Sequence, residues 1–409
     1  MSSSHDTGPD ASNADVPLRV AVDVRCLASG ELRGFARYTA ELLGGFESVD
    51  GVELLPVSDE PMVLPVSVLG GAEVHHPAPD REWRREQVGL PQLCHDLGVD
   101  VLFGPANRGL PVAGPPSVLT LHDAVEWDPE LVEAPTGRSR FRFGYASVAS
   151  MLGATEIITI SDHAASELER VLGIGPDRVT VVSEAPGRAF TTPPDAVERA
   201  AMRRALDIAG PYLLYLGGFD AKKSVDTLVS AWARLDPSTT PPLVLGGRLG
   251  DEAERFDRIV RDAGGEPGRL RCIGFVPDEV LPALYAEAEL FVFPAIAEGY
   301  GLPAVEAMAV GTATVIAGEA SLPEATRGAA PSVPGRDVAA LSAAIRRVLD
   351  DDAERARVAA AGRAAVTSRS WADVAADTTV VLHRAAARGA RDRVTASVPR
   401  LRYVHKWVR

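Results

Sequence analysis

The stretch that decides the fold runs from Phe293 to Ala309 and reads FPAIAEGYGLPAVEAMA. The apolar residues that lead into it are typical of a buried strand. A turn with two glycines follows, and a helical pattern begins near Leu302 with Pro303 at a first-turn position, where a missing N–H does no harm. The stretch therefore predicts a strand, a glycine-containing turn and a helix in direct succession.

Outward from this stretch, short runs of Val, Ile and Leu alternate with amphipathic segments, which is typical of parallel strands joined by crossover helices. The predicted strands are Leu18–Val24, Val52–Val57, Val99–Phe103, Ser117–Leu121, Glu156–Ile160, Val179–Val182, Tyr212–Leu216, Pro242–Leu245, Leu270–Ile273, Leu290–Phe293 and Ala313–Ile316. The predicted fold class is α/β.

Length and composition narrow the class of protein. The 409 residues favour two domains. The net charge of −14, from 42 Lys or Arg and 56 Asp or Glu, argues against a nucleic-acid partner.

No apolar run reaches the ~18 residues of a membrane span, and the polar residues 1–17 predict a disordered tail rather than a secretory signal. Three distant cysteines predict no zinc site and fit a reducing cytoplasm.

Proline and glycine mark the predicted domain boundary. The segment 184–195 has three prolines and one glycine between a strand and the next helix. We predict an N-terminal domain over 18–188, a C-terminal domain over 189–370, and over 371–409 a helix that packs back on the N-terminal domain plus a basic tail. Within 384–409, eight Lys or Arg stand against one acid. This predicts peripheral contact with an anionic membrane surface or an acidic partner, with a solvated chain end as the alternative.

Two carboxylates frame the decisive turn. Glu298 precedes the helix, and Glu306 lies within it about one turn past its start. Backbone amides at a helix start favour a phosphate or diphosphate, and carboxylates accept hydrogen bonds from the hydroxyls of a sugar or ribose. The pattern predicts one ligand that carries both groups. The alternative is a capping carboxylate at Glu298 and a solvent-facing Glu306.

In its surroundings, LFVFPAIAEGYGLPAVEAMAVGTATVIA followed by SLPE at 321–324, the Glu298–Glu306 pair resembles the E-x7-E signature of the family 4 retaining glycosyltransferases. The resemblance covers roughly 18–386 and is most specific in the second half. It implies the GT-B fold, in which two facing Rossmann-like domains form a cleft between donor and acceptor. The domain 18–188 would lie on the acceptor side, and the domain 189–370 would bind a nucleotide sugar.

The family resemblance also assigns roles around the turn. It implies that Glu306 contacts the ribose and that Glu298 contacts hydroxyls of the transferred sugar. The other donor-binding residues that it implies are Gly299, Tyr300, Gly301 and Leu302.

A second segment, YLGGFDAKKS at 215–224, connects a strand to a helix. The segment does not match a P-loop, because Lys222 occupies the position at which the motif requires a glycine for close approach of the phosphate. It also resembles the family's Gly-Arg-x-x-x-x-Lys segment, in which the Arg and Lys bind the donor diphosphate. Lys223 then falls on the family Lys, whereas Gly218 stands in the Arg position and Lys222 is left to supply the missing charge. Two solvated lysines at a helix start are the alternative.

A third segment, VLTLHD at 118–123, ends a strand with His122 and Asp123. In open α/β sheets ligands bind outside the carboxyl ends of the strands. The family has a similar His-Asp pair, and the resemblance implies that His122 contacts the donor sugar. Asp123 either supports the acceptor side or orients the loop, and a structural histidine is the alternative for His122.

A fourth segment, GELRGFARY at 30–38, follows the first strand. It resembles the family's glycine-rich first loop, with Ala36 in place of the second glycine. The resemblance implies that Gly34 lets the donor diphosphate or the acceptor approach closely, and that Arg37 lies on the acceptor side. A simple tight turn is the alternative.

The implied reaction is transfer of a hexose from a nucleotide-diphosphate sugar to an acceptor. Lys223 and the amides at 299–302 are expected to stabilise the departing diphosphate. No metal and no further cofactor are expected. Front-face attack, in which the departing phosphate takes the acceptor's proton, comes with the family. The acceptor is left open among a glycan, a lipid-linked sugar and a small molecule.

Other function classes stay open at this point. A P-loop nucleotidase is disfavoured by Lys222. A GT-B epimerase would share the fold but not the pairing of Glu298 with Glu306. A non-catalytic nucleotide-sugar-binding relative is indicated only by Gly218 and Ala36, and loss of turnover with retained nucleotide binding would identify it.

Overall fold

The computed structural model describes most of the chain. It covers residues 16–28, 30, 32, 34–59, 73–78, 84–107, 109–127, 147–148, 150–248, 250 and 252–389. Most of the predicted tail 1–17 and most of the basic segment 384–409 lie outside the described residues.

The first sheet has six strands. They are β1 Leu18–Asp23, β2 Val52–Val57, β3 Val101–Gly104, β4 Ser117–Thr120, β5 Glu156–Thr159 and β6 Val179–Val181, in the spatial order β2-β1-β3-β4-β5-β6. The described strand pairs are parallel. The helices described in this half are α1 Phe35–Phe46, α2 Leu90–Asp96 and α3 Asp162–Glu167.

The second sheet is also parallel and six-stranded. Its strands are β7 Leu213–Leu216, β8 Leu243–Gly246, β9 Leu270–Gly274, β10 Leu290–Phe293, β11 Thr314–Ala317 and β12 Ser332–Val333, in the order β12-β11-β10-β7-β8-β9. The helices of this half are α4 Arg188–Thr191, α5 Ala196–Ala205, α6 Val225–Ala233, α7 Glu252–Asp262, α8 Leu281–Ala286, α9 Leu302–Ala309, α10 Leu322–Ala325, α11 Val338–Asp350, α12 Asp352–Val366 and α13 Trp371–Arg388.

The α/β prediction is confirmed, and every predicted strand is present with ends that differ by at most two residues. Strand β12 was not predicted, because its two residues are too short for a periodic pattern. The strand predicted from Val99 begins at Val101, since the amide of Val99 donates to the carbonyl of Cys94 at the end of α2.

The order of the second sheet creates the position of the site. Strands β7 and β10 are neighbours, and the chain proceeds from them toward opposite edges of the sheet. Such a switch point leaves a crevice at the carboxyl ends of the two strands, where open α/β sheets bind ligands. Tyr215 on β7 stacks on Phe293 of β10, with 6.0 Å between ring centroids, and this packing holds the two strand ends together.

The described chain divides into two compact units. Among the described residues, those within 1–119, 145–156 and 375–389 form the first unit, and those within 120–127 and 157–374 form the second. Within the first unit, the carboxylate of Glu156 lies 2.9 Å from Arg384 and 2.7 Å from Arg388, both on α13. The sequence-based domain limits 18–188, 189–370 and 371–409 stay predictions.

Candidate active site

The donor loop, which we define as residues 294–301, connects β10 to α9. Gly301 is the N-cap of α9 with φ of 106°, and an ideal Cβ at this position would lie 2.4 Å from Cδ2 of Leu322. Only glycine fits this backbone without displacing its neighbour. The helix starts at Leu302, as the sequence predicted.

Two serines hold the donor loop through its carbonyls. The hydroxyl of Ser161 donates to the carbonyl of Gly299 at 2.7 Å. The hydroxyl of Ser321 lies 2.9 Å from the carbonyls of both Glu298 and Tyr300. All these groups belong to the second unit. The loop is thus fixed by buried side chains before any ligand binds.

Lys223 and Glu298, predicted from separate segments, are in contact. The ammonium of Lys223 donates to Oε1 of Glu298, and both side chains are largely buried. The same ammonium lies 6.0 Å from the centre of the Phe293 ring. Lys223 ends a 3-10 turn after β7, and the amide of Ile296 donates to the carbonyl of Lys222 at 2.8 Å. This bond ties the lysine turn to the donor loop.

Tyr215 packs against the two glycines that follow β7, Gly217 and Gly218. Its hydroxyl donates to the carbonyl of Gly218 at 2.5 Å, and an ideal Cβ at Gly217 would lie 2.7 Å from that hydroxyl. Burial raises the pKa of the Tyr215 phenol well above its ordinary value, and the carboxylate of Glu298 adds to the rise. An ideal Cβ at Gly218 would lie 3.9 Å from Cε of Lys223. A side chain at position 218 would therefore start beside Lys223.

Glu306 is buried in α9, with 4% of its surface exposed. Its Oε2 accepts a hydrogen bond from the hydroxyl of Tyr285 at 3.2 Å. The solvent-facing alternative for Glu306 is therefore wrong, because every residue of α9 from Ala304 to Ala309 is buried. Tyr285 was not singled out by the sequence, since it lies within the apolar pattern of α8.

His122 and Asp123 follow β4. His122 is 5% exposed, and an ideal Cβ at Gly299 would lie 2.5 Å from the His122 carbonyl oxygen. The backbone after β4 thus touches the donor loop within the second unit. Oδ1 of Asp123 accepts from the amide of Val125 at 3.1 Å, which supports the turn that follows.

Glu184 lies beside His122 and was not singled out by the sequence analysis. It is 3% exposed, its Oε1 lies 3.7 Å from Nδ1 of His122, and its carbonyl accepts from the hydroxyl of Tyr300 at 2.8 Å. Burial and the Glu184 carboxylate raise the pKa of the Tyr300 phenol. The sequence did contain an indication of this position, because Glu184 follows the predicted strand that forms β6. Ligands bind at the carboxyl ends of the strands in open α/β sheets.

Gly34 and Arg37 belong to the first unit and are described there alone. Gly34 is the N-cap of α1 with φ of 48°, and no heavy atom of the described residues lies within 4 Å of an ideal Cβ at this position. Arg37 is half-buried on α1. The positive φ explains the glycine, and the roles of both residues stay predictions.

The part of the chain that the structure describes offers no candidate metal centre and no candidate membrane span. There, no group of three or more His, Cys, Asp or Glu side chains has the geometry to hold a metal ion. Among the same residues, no helix combines the length and apolarity needed to cross a bilayer. The predicted independence of metal stays a prediction.

Comparisons with known proteins identify the class. Residues 199–365 match the family model for glycosyl transferases group 1. The chain is 32% identical over 278 residues to the O-antigen chain mannosyltransferase B of Escherichia coli, covering 66% of this chain and 71% of that protein. It is 31% identical over 244 residues to the serotype-specific mannosyltransferase WbdA of Escherichia coli, covering 58% of this chain but only 30% of that protein.

A solved structure supports the same fold. The crystal structure of Anabaena Alr3699/HepE in complex with UDP and glucose superimposes with a TM-score of 0.68, 16% sequence identity and coverage of 90% of this chain and 100% of the other. The GT-B prediction is confirmed. The chain belongs to the group 1 glycosyltransferases and is a glycosyltransferase enzyme.

Proposed function

We propose that the protein transfers a hexose from a nucleotide-diphosphate sugar to a hydroxyl group of an acceptor, with retention of anomeric configuration. The observation that carries this proposal is the contact between Lys223 and Glu298 beside the N-terminus of α9. A cation, a carboxylate and helix-start amides together suit a ligand that combines a diphosphate with a hydroxylated ring.

Each group has a role in this proposal. Lys223 and the amides of 299–302 neutralise the diphosphate as its bond to the sugar breaks, and Lys222 adds a second cation in place of the arginine that Gly218 replaces. Glu298 accepts hydrogen bonds from sugar hydroxyls, Glu306 from the ribose, and His122 contacts the transferred sugar. Tyr285 supports the Glu306 carboxylate.

The reaction needs no enzymic nucleophile. The acceptor oxygen forms its bond to C1 on the face from which the diphosphate departs, and its proton passes to an oxygen of the departing phosphate. The positive charge of Lys223 takes the place of a divalent cation, so the proposed reaction is independent of metal and of further cofactors.

The names of the relatives guide the choice of substrate. Because the relatives are named mannosyltransferases, a mannose donor is the first to test. The acceptor is a glycan, a lipid-linked sugar or a small molecule, with Arg37 and Asp123 as its proposed contacts or supports, and Gly34 is assigned to the donor. We propose a cytoplasmic enzyme that attaches peripherally to the inner face of the membrane through the basic residues of segment 384–409 other than Arg384 and Arg388, which pair with Glu156.

A donor panel tests the proposal. Thermal shift, donor hydrolysis and transfer to simple mannosides would be measured with GDP-mannose, UDP-glucose and dTDP-glucose, with and without EDTA. Wild type would be compared with Glu306→Ala, with Lys223→Ala, and with Glu354→Ala, which changes a half-buried glutamate on α12 that pairs with Arg357. We expect one nucleotide series to stabilise wild type and the Glu354 variant regardless of EDTA, and not the site variants.

Three results would speak against the proposal. Stabilisation by ATP with magnesium alone would restore the P-loop interpretation of 217–224. Stabilisation by a sugar nucleotide without hydrolysis or transfer would identify a non-catalytic relative. Equal loss of stabilisation in the Glu354 variant would remove the assignment of the site.

A further inference from the structure

We infer that Glu184 is a positioning residue that fixes the orientation of the His122 imidazole toward the transferred sugar. This inference rests on the proposed function, which gives His122 its contact with the sugar. The evidence is a buried carboxylate beside a buried ring, and a link from the same glutamate to the donor loop.

The two side chains face each other away from solvent. Glu184 is 3% exposed, His122 is 5% exposed, and 3.7 Å separate Oε1 from Nδ1. This separation is within ion-pair range and slightly beyond hydrogen-bond distance, as is common for catalytic contacts before a ligand binds. A buried carboxylate is costly unless it has a polar or charged partner, and the nearby imidazole provides one.

The position of Glu184 is set from the donor loop. Its carbonyl accepts from the hydroxyl of Tyr300, which lies between Glu298 and the start of α9. The neighbouring carbonyl, of Ser183, accepts from Nε of Arg369 at 2.9 Å. Gly299 in turn lies against the carbonyl of His122. The backbone carbonyls of Glu184 and His122 therefore both lie against the loop that carries the predicted sugar ligand Glu298.

The expected effect of Glu184 on His122 is a choice between the two tautomers of the imidazole ring. A carboxylate at Nδ1 favours the tautomer that carries its proton on Nδ1, because that N–H donates toward the carboxylate. In that tautomer Nε2, on the opposite side of the ring, carries the acceptor lone pair, which suits a hydrogen bond from a sugar hydroxyl. Without the carboxylate, this electrostatic preference for the Nδ1-protonated tautomer is lost.

The direct test observes the ring itself. Proteins labelled with ¹⁵N histidine would be compared by NMR for wild type, Glu184→Gln, Glu184→Asp and the matched control Glu354→Gln, with His122→Ala to assign the signal. We expect an Nδ1-protonated His122 in wild type and in the two variants that keep a carboxylate at 184. Glu184→Gln is expected to shift the Nδ1 and Nε2 signals of His122 alone. An unchanged His122 signal in Glu184→Gln would overturn the inference.

A double-mutant cycle tests the consequence for transfer. GDP-mannose and UDP-glucose would be used as donors on wild type, Glu184→Gln, His122→Ala and the double variant. We expect Glu184→Gln to lower kcat about ten-fold or more with donor KM changed by less than about two-fold, and to add nothing in the His122→Ala background.

The outcomes separate the two proposals. If His122→Ala leaves transfer unchanged, the proposed role of His122 fails, whatever the NMR result. If His122→Ala abolishes transfer but Glu184→Gln does not lower kcat, only the role of Glu184 fails. A further loss in the double variant, with a fall in melting temperature, would indicate a merely structural glutamate.

Discussion

The ammonium of Lys223 donates a hydrogen bond to Oε1 of Glu298, so two residues predicted to bind different parts of the donor bind each other. Both side chains are largely buried, 17% exposed for the lysine and 14% for the glutamate. A charge-assisted bond in such surroundings is strong and short. Under the proposed function, a bound diphosphate would compete with Glu298 for Lys223, and the glutamate would become available to sugar hydroxyls as the lysine turned to phosphate.

The first prediction concerns this exchange. Glu298→Gln removes the competing charge, so affinity for a free nucleoside diphosphate is expected to stay unchanged or to rise, while sugar transfer falls at least about a hundred-fold. Lys223→Ala removes a charged hydrogen bond to phosphate and is expected to weaken nucleoside diphosphate binding by about 1.5–3 kcal/mol. Isothermal titration calorimetry with GDP and UDP measures both. Weaker binding in Glu298→Gln would contradict the exchange.

The second prediction concerns the packing of the donor loop. Gly299→Ala would bring a methyl group within 2.5 Å of the His122 carbonyl oxygen. Because that neighbour is backbone, the loop must shift, and we expect about 1–3 kcal/mol of destabilisation with at least about a ten-fold loss of transfer. The control is Gly268→Ala, where no heavy atom of the described residues lies within 4 Å of the added carbon. Melting temperature and transfer rate measure the effect, and equal behaviour of the two variants would count against it.

The third prediction concerns the ion cluster of the first unit. Glu156 is 3% exposed and contacts both Arg384 and Arg388 of α13. Removing both arginines as Arg384→Gln/Arg388→Gln leaves a buried carboxylate unpaired, and we expect a loss of up to about 3 kcal/mol, since the arginines are themselves partly solvated. Glu156→Gln is expected to cost less, because no buried charge remains.

Hydrogen exchange of the α13 amides measures this anchoring. Exchange is expected to be fastest in the double arginine variant. Unchanged exchange in that variant would show that apolar packing alone holds the helix.

The fourth prediction concerns thiol chemistry. Burial raises the pKa of the Cys26 thiol to about 11, although a contact with the Thr39 hydroxyl opposes the rise. At pH 8 its thiolate fraction is then about 0.1%, so alkylation by iodoacetamide is expected to be roughly a hundred-fold slower than that of a free cysteine. Mass spectrometry of Cys26 peptides measures the rate, which is expected to rise about ten-fold per pH unit up to pH ~11. Rapid modification at pH 8 would refute this.

The same shift predicts a pH dependence of stability. The folded state holds the Cys26 proton more tightly than the unfolded state, whose thiol has an ordinary pKa of 9.0. The contribution of this group is therefore complete below pH 9 and is lost as the pH rises toward 11. Cys26→Ser is expected to reduce that alkaline loss, as followed by thermal melts.

The sequence by itself determined the elements. Strands β1 to β11 were predicted from short, mostly apolar runs bounded by turns. Such a run indicates a buried strand from the local sequence alone. The start of α9 was predicted because a glycine in the left-handed region and a proline in the first turn act on their immediate neighbours. The family signature around Glu298 and Glu306 could be recognised from the spacing of these residues along the chain.

Tertiary structure decided the contacts. Lys223 contacts Glu298, which is 75 residues away in the chain, because β10 lies next to β7 in the sheet. The order of the strands cannot be predicted from their apolar pattern, since strands that are buried on both faces all have similar apolar runs. The burial of Glu306 depends on Tyr285 and on helices packed around α9, which no local period reports. Glu184 reaches His122 for the same reason: the parallel sheet brings the carboxyl ends of β6 and β4 to one edge, although the chain separates them widely.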